Sequence, residues 1–90
     1  IYDEYETKEN FVETIDSKVF RISGKTSIYY VNETLQLGIP PGDYETIAGY
    51  MLFLFGKIPH EGERTKKGNF SYCVETMAGR RIKSILLEKL

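Results

Sequence analysis

Residues 40–63 read PPGDYETIAGYMLFLFGKIPHEGE, the densest apolar run of the chain, introduced by Pro40 and Pro41 and closed by Gly56 and Pro59. Asp43 is placed to cap a helix N-terminus, because its short carboxylate can accept from backbone N–H groups two or three residues on. Gly56 ends that helix and Pro59 prevents its resumption. Between them Tyr44, Ile47, Ala48, Met51, Leu52 and Phe55 recur at i, i+3, i+4, i+7, i+8 and i+11, along one side of a helix. The spacing predicts a helix over 44–55 with that side on a core. Tyr50, Phe53 and Leu54 fall away from it, leaving aromatic area that a surface helix has no reason to expose. They form the candidate interaction surface, and a second partner is implied.

Outward from this helix, the upstream half reads as a hairpin and a second helix. Phe11 to Ile15 and Lys18 to Ser23 are short strand signals joined by the turn residues Asp16 and Ser17. Gly24 breaks the strand. Thr26 offers a cap for a helix over 27–37, whose Ile28, Val31 and Leu35 are spaced three and four apart, and Gly38 stops it. Downstream the pattern changes to strands. Glu63 to Lys66 is one, Lys67-Gly68-Asn69 a turn, and Phe70, Tyr72 and Val74 alternate with Ser71, Cys73 and Glu75. Ala78-Gly79 is a turn, and Arg80 to Leu87 a last strand. There Ile82 and Ile85 differ by an odd number of positions, so that strand is covered on both faces or carries a bulge. The order ββααβββ predicts an α+β fold, two helices packed on a mostly antiparallel sheet.

Ninety residues make one domain. We divide it into an acidic linker over 1–10 and the folded domain over 11–90. The chain opens on isoleucine, as expected for a piece of a longer protein whose function is exercised within that parent. The longest uninterrupted apolar run, Tyr50 to Phe55, is far short of a membrane span, and no signal peptide is recognisable. Cys73 is the one cysteine, read as a buried inert thiol in a reducing compartment. The net charge of −1 hides an asymmetry. Residues 1–16 carry six acids against Lys8, and residues 57–83 carry seven bases against three acids. The acidic start is a solvated linker, lies against the basic end, or collects a hard cation through Asp3, Glu4 and Glu6.

Catalysis finds little support. His60 is the single histidine, in a loop between Pro59 and Glu61, and nothing in the spacing pairs it with Cys73. Zinc spacing and both phosphate-loop glycine patterns are absent. Gly79-Arg80-Arg81 is a tight turn followed by guanidinium groups suited to an anion or an acidic neighbour. With Lys57 and Lys83 these arginines form a basic end, the candidate ligand-binding residues. Nucleic-acid binding is not expected of a slightly acidic domain whose aromatics serve apolar periods.

Taken together, DYETIAGY at 43–50, LFGKIP at 54–59, Gly62-Glu63 and GRRIK at 79–83 resemble the CorC/HlyC transporter-associated domain. The acidic start with Asp3-Glu4-Tyr5, the hairpin ending at Ser23-Gly24, and the helix leading to Leu37-Gly38-Ile39-Pro40 match as well. Ala78 departs from the pattern, which has Asp or Asn before the glycine, and a type I′ turn is less natural with alanine there.

The resemblance implies a non-catalytic regulatory module of a CBS-domain membrane protein, modulating magnesium or cobalt transport. It implies a place on the cytoplasmic side of the bacterial inner membrane. The partners would be the parent's CBS-domain pair and transmembrane domain or a second copy, with no membrane insertion by the module itself. The fold it implies is related to an FAD-binding fold. No cofactor is expected on the leading reading; the alternative, resting on fold analogy, is a sensor of FAD or an adenine nucleotide.

Overall fold

The computed structural model describes residues 10–90. The expected linker thus falls, but for Asn10, outside the described residues, as do Asp3, Glu4 and Glu6. Five strands and two helices follow in the order β1 (Val12–Thr14), β2 (Val19–Ser23), α1 (Ile28–Leu35), α2 (Ile47–Phe55), β3 (Arg64–Lys67), β4 (Phe70–Ala78) and β5 (Arg81–Lys89). The strands form one antiparallel sheet ordered β1-β2-β5-β4-β3, with the C-terminal strand at its centre. This is the α+β arrangement expected from the sequence.

One sheet face is closed by the helices. Phe20 and Ile22 of β2, Tyr72 and Val74 of β4, and Ile82, Ile85 and Leu87 of β5 meet Ile28, Val31 and Leu35 of α1 and Ile47, Tyr50 and Met51 of α2. The odd spacing of Ile82 and Ile85 is resolved by a bulge. Register runs Val74 to Ile85, Thr76 to Ser84 and Met77 to Ile82, so Glu75 on β4 and Lys83 on β5 are left without cross-strand partners. The edge strands are a three-residue β1 and a β3 that reads Arg-Thr-Lys-Lys, short and charged as edges that avoid further pairing tend to be.

Both helices begin later than their spacing suggests. Thr46, not Asp43, caps α2, with its hydroxyl accepting from Gly49 N–H at 3.1 Å. The reason is tertiary. Thr46 is drawn into extended backbone against α1, where Ile28 N–H donates to Glu45 O at 2.9 Å and Ser27 bridges Thr46. Tyr44 therefore lies outside the helix, its hydroxyl donating to Pro40 O at 2.6 Å. Without it the buried stripe of α2 is Ile47, Tyr50 and Met51 with Leu54 partly covered, and Leu52 turns outward.

At α1, Ser27 is the cap in place of Thr26, accepting from Tyr30 N–H at 3.0 Å. Thr26 is fully buried instead, its hydroxyl accepting from Phe11 N–H at 3.0 Å and donating to Phe11 O at 3.2 Å. The stop is Gln36, in the left-handed region at φ 56°, rather than Gly38. Asn32 then clamps the exit by donating to Ile39 O and accepting from Ile39 N–H, at 2.9 and 3.0 Å.

Ala78 is the last residue of β4, paired with Arg81, so the β4–β5 turn is centred on Gly79 and Arg80. Gly79 takes φ +65° and Arg80 does not leave the ordinary region, the glycine-first pattern of a type II′ turn. Alanine at 78 needs no positive φ.

Candidate functional site

Gly24 is where β2, β5 and α2 converge. Its N–H donates to Lys83 O at 2.8 Å, and its carbonyl accepts from Ala48 N–H at 3.1 Å. A Cβ there would stand 2.2 Å from the Ile82 carbonyl oxygen and 3.3 Å from Ala48 Cβ. The close approach opens a cleft of ≈ 540 Å³ between the start of α2 and the β4–β5 hairpin, within the size range of small-molecule sites. Ala48, Gly49, Leu52 and Ile82 supply an apolar floor, and Lys25, Arg80, Arg81 and Lys83 supply cations. No acid lines it. Among the described residues the ion pairs belong to Arg21 and Lys57, so none of the four cleft cations is neutralised by a neighbour.

Three of the four basic residues picked from the sequence therefore come together, and Lys57 does not. It sits past the end of α2 and donates to both carboxylate oxygens of Glu63 at 2.9 Å. Glu63 also accepts from His60 N–H at 2.8 Å, and its carboxyl is held below the ordinary range, chiefly by Lys57. Lys25 completes the cleft in its place. The sequence signal for it was weak, because Lys25 reads only as a polar residue beside the strand-breaking Gly24 and becomes part of the site when β2 pairs with β5.

The candidate interaction surface divides. Tyr50 is 2% exposed and belongs to the core, with its ring 6.0 Å from Tyr72 in an edge-to-face contact. Burial accordingly pushes its hydroxyl pKa up. Its placement away from the core counted Tyr44 and Leu52 in the buried side; with Tyr44 off the helix and Leu52 exposed, the buried side centres on Ile47, Tyr50 and Met51. Leu54 is half-buried against the same core. Phe53 is 66% exposed, its ring 5.4 Å from Tyr44. Cys73, expected to be buried, is half-exposed, because its position on β4 alternates with the core residues Tyr72 and Val74.

The uncovered sheet face carries a polar network that crosses four strands. Arg21 on β2 reaches over β5 to Glu75 on β4, with Nε 2.8 Å from Oε1 and Nη2 2.7 Å from Oε2. Arg21 Nη1 also donates to Glu13 on β1 at 3.0 Å, and Ser84 Oγ on β5 donates to Glu75 at 2.9 Å. The bulge is what turns Glu75 out of the ladder toward these donors. Its carboxyl is held below its ordinary 4.5, first by the Arg21 hydrogen bond. A depressed carboxylate contributes stability that is fully present above its unfolded-state pKa and is lost as pH falls through the folded-state value. Glu75→Gln should therefore lower the urea midpoint at pH 7. The gap from the wild type should stay constant down to about pH 5 and close progressively at more acid pH. A gap that does not narrow between pH 5 and 3 would show that the charge of Glu75 is not what the network uses.

Among the described residues no group of three or more His, Cys, Asp or Glu side chains is placed to hold a metal ion, and no helix is long and apolar enough to cross a membrane.

Comparison with known proteins adds a family. The chain is 28% identical to the magnesium and cobalt efflux protein CorC of Buchnera aphidicola, over 91% of this chain and 28% of that protein. It is 31% identical to the polyamine export protein of Salmonella typhimurium, over 83% of this chain and 17% of that protein. The chain spans between 11% and 34% of the length of the curated relatives it matches. A solved structure of the corresponding domain of a Xylella fastidiosa hemolysin, in complex with Mg2+ and Mn2+, superimposes with a TM-score of 0.77 at 30% identity, covering 88% of this chain and 96% of that one. The transporter associated domain family, CorC_HlyC, is matched over residues 13–90. On that match, and on a fold shared with its solved members, the chain belongs to the transporter associated domain family.

Proposed function

We propose that this domain is a non-catalytic regulatory module of a larger transport protein, sited on the cytoplasmic side of the membrane and docked on the parent's CBS-domain pair. The observation that carries the reading is a set of exposed apolar side chains at one helix, on a domain that accounts for 11% to 34% of the length of its curated relatives. Phe53 at 66%, Ile58 at 40% and Leu52 at 39% exposure lie on or just beyond α2, outside the core that the helix closes. Exposed apolar residues that neighbour one another mark contact surfaces more often than isolated ones do. Divalent cation export is the proposed cargo activity, after the CorC relative; the polyamine exporter supplies the competing cargo.

The test is ion and polyamine flux in the full-length parent carrying Phe53→Asp. Because Phe53 is exposed, the variant should accumulate normally while the rate of cation export, or its response to cation load, changes at least about twofold. Unaltered flux with normal protein levels would remove this face from regulation. Polyamine flux that changes while cation flux does not would replace the cargo.

A further inference from the structure

We propose that the cleft between the start of α2 and the β4–β5 hairpin binds a phosphate-bearing molecule whose apolar body lies on the Ala48–Gly49–Leu52 floor. The inference stands apart from the docking reading, since the cleft and the Phe53 strip use different residues, with only Leu52 in common.

The charge count comes first. Lys25, Arg80, Arg81 and Lys83 line one small cleft with no acid among its described residues. Four like charges gathered at a concave surface repel one another, and the arrangement becomes favourable when an anion joins them. Among the described residues Arg21 is matched by Glu75 and Glu13, and Lys57 by Glu63, whereas the four cations of the cleft share one concave surface. A single carboxylate would neutralise one of the four. A phosphate or diphosphate offers more charge and more acceptor oxygens, and guanidinium groups engage phosphate through paired N–H donors.

The backbone supplies the second constraint. The first N–H groups of α2 are already used, Ile47 by Thr26 O, Ala48 by Gly24 O and Gly49 by the Thr46 hydroxyl. The helix end therefore donates little to an anion, and the side chains must hold it. What α2 offers the ligand is apolar surface at Ala48, Gly49 and Leu52, next to Ile82 of β5. A bare inorganic anion would leave that floor uncovered, whereas a molecule with an apolar portion would cover it. The bulge contributes position, since Lys83 has no partner on β4 and its carbonyl is taken by Gly24, which brings β2 and Lys25 against the hairpin.

The test is calorimetric titration of the chain with ADP, with inorganic pyrophosphate and with phosphatidylglycerol vesicles. ADP should bind saturably, pyrophosphate more weakly because it has no body for the floor, and both less tightly as salt is raised. The double variant Arg80→Ala/Arg81→Ala should lose at least about tenfold in affinity, the scale of one charge-assisted hydrogen bond. Its thermal midpoint should not fall, since both side chains are exposed and their removal relieves like-charge repulsion. Leu52→Ser should weaken ADP and leave pyrophosphate as it was. Vesicle binding without ADP binding, lost in the double variant, would support the site and assign the phosphate to a lipid headgroup. Absence of binding by all three probes would overturn the proposal, as would ADP binding indifferent to the loss of both arginines. Either result would leave the effect of Phe53→Asp on transport to be judged separately.

Discussion

Gly24→Ala is expected to cost about 3 kcal/mol or more, beyond the usual range for overpacking and a large part of the 5–15 kcal/mol that holds a typical domain together. The added methyl would stand 2.2 Å from the carbonyl oxygen of Ile82, an atom of the central strand. A flexible side chain could swing aside, but a backbone carbonyl in the middle of the sheet cannot. Retreat of residue 24 itself is blocked from both directions. Its N–H is bonded to Lys83 O and its carbonyl to Ala48 N–H, so any shift breaks a hydrogen bond to β5 or to the first turn of α2. The Ala48 methyl at 3.3 Å closes the remaining direction. Urea unfolding followed by circular dichroism measures the effect. A midpoint within experimental error of the wild type would mean that the junction of β2, β5 and α2 relaxes freely, and the shape of the cleft would then not depend on this glycine.

Gly24 also illustrates which parts of the structure can be read from sequence. Its role as the end of β2 follows from local rules, as do the order of the elements, the alternation of β4 and the glycine-led turns, because each is set by residues a few positions apart. The contact that makes it irreplaceable is with Ile82, 58 positions later, and depends on β5 inserting between β2 and β4. No local period encodes that insertion. The start of α2 went astray for the same reason. Asp43 has the right chemistry for a cap, yet the pairing of Ser27 with Thr46 holds residue 46 extended, and the cap passes to Thr46. Three cleft cations were legible because Arg80, Arg81 and Lys83 follow one another along a hairpin. Lys25 was not, since it joins them only through the sheet. Lys57 shared their charge but is occupied by Glu63, six positions on, and a list of charges does not show which of them are already matched.

Tyr50→Ala should destabilise the domain by about 3–5 kcal/mol, the usual cost of removing a buried aromatic ring, whereas Phe53→Ala should cost less than about 1 kcal/mol, as surface substitutions generally do. The two residues are one helical turn apart and belong to one aromatic group, with Tyr44 5.0 Å from Tyr50 and 5.4 Å from Phe53. What separates them is the other side of each ring. Tyr50 is backed by Tyr72 of β4 and is closed off from solvent, so its loss leaves a cavity between helix and sheet. Phe53 faces outward and rests on Tyr44, a loop residue whose own ring is only partly covered. Denaturant midpoints of both variants distinguish a graded layer from a cooperative one. If Phe53→Ala costs as much as Tyr50→Ala, the three rings act as one unit and Phe53 is part of the core. Phe53→Asp would then disturb transport by unfolding the domain, and its effect on flux could no longer be assigned to a lost contact. If the costs differ as expected, Phe53 contributes little to the isolated domain, and an effect of Phe53→Asp on flux can be read as the loss of a surface contact rather than of the fold.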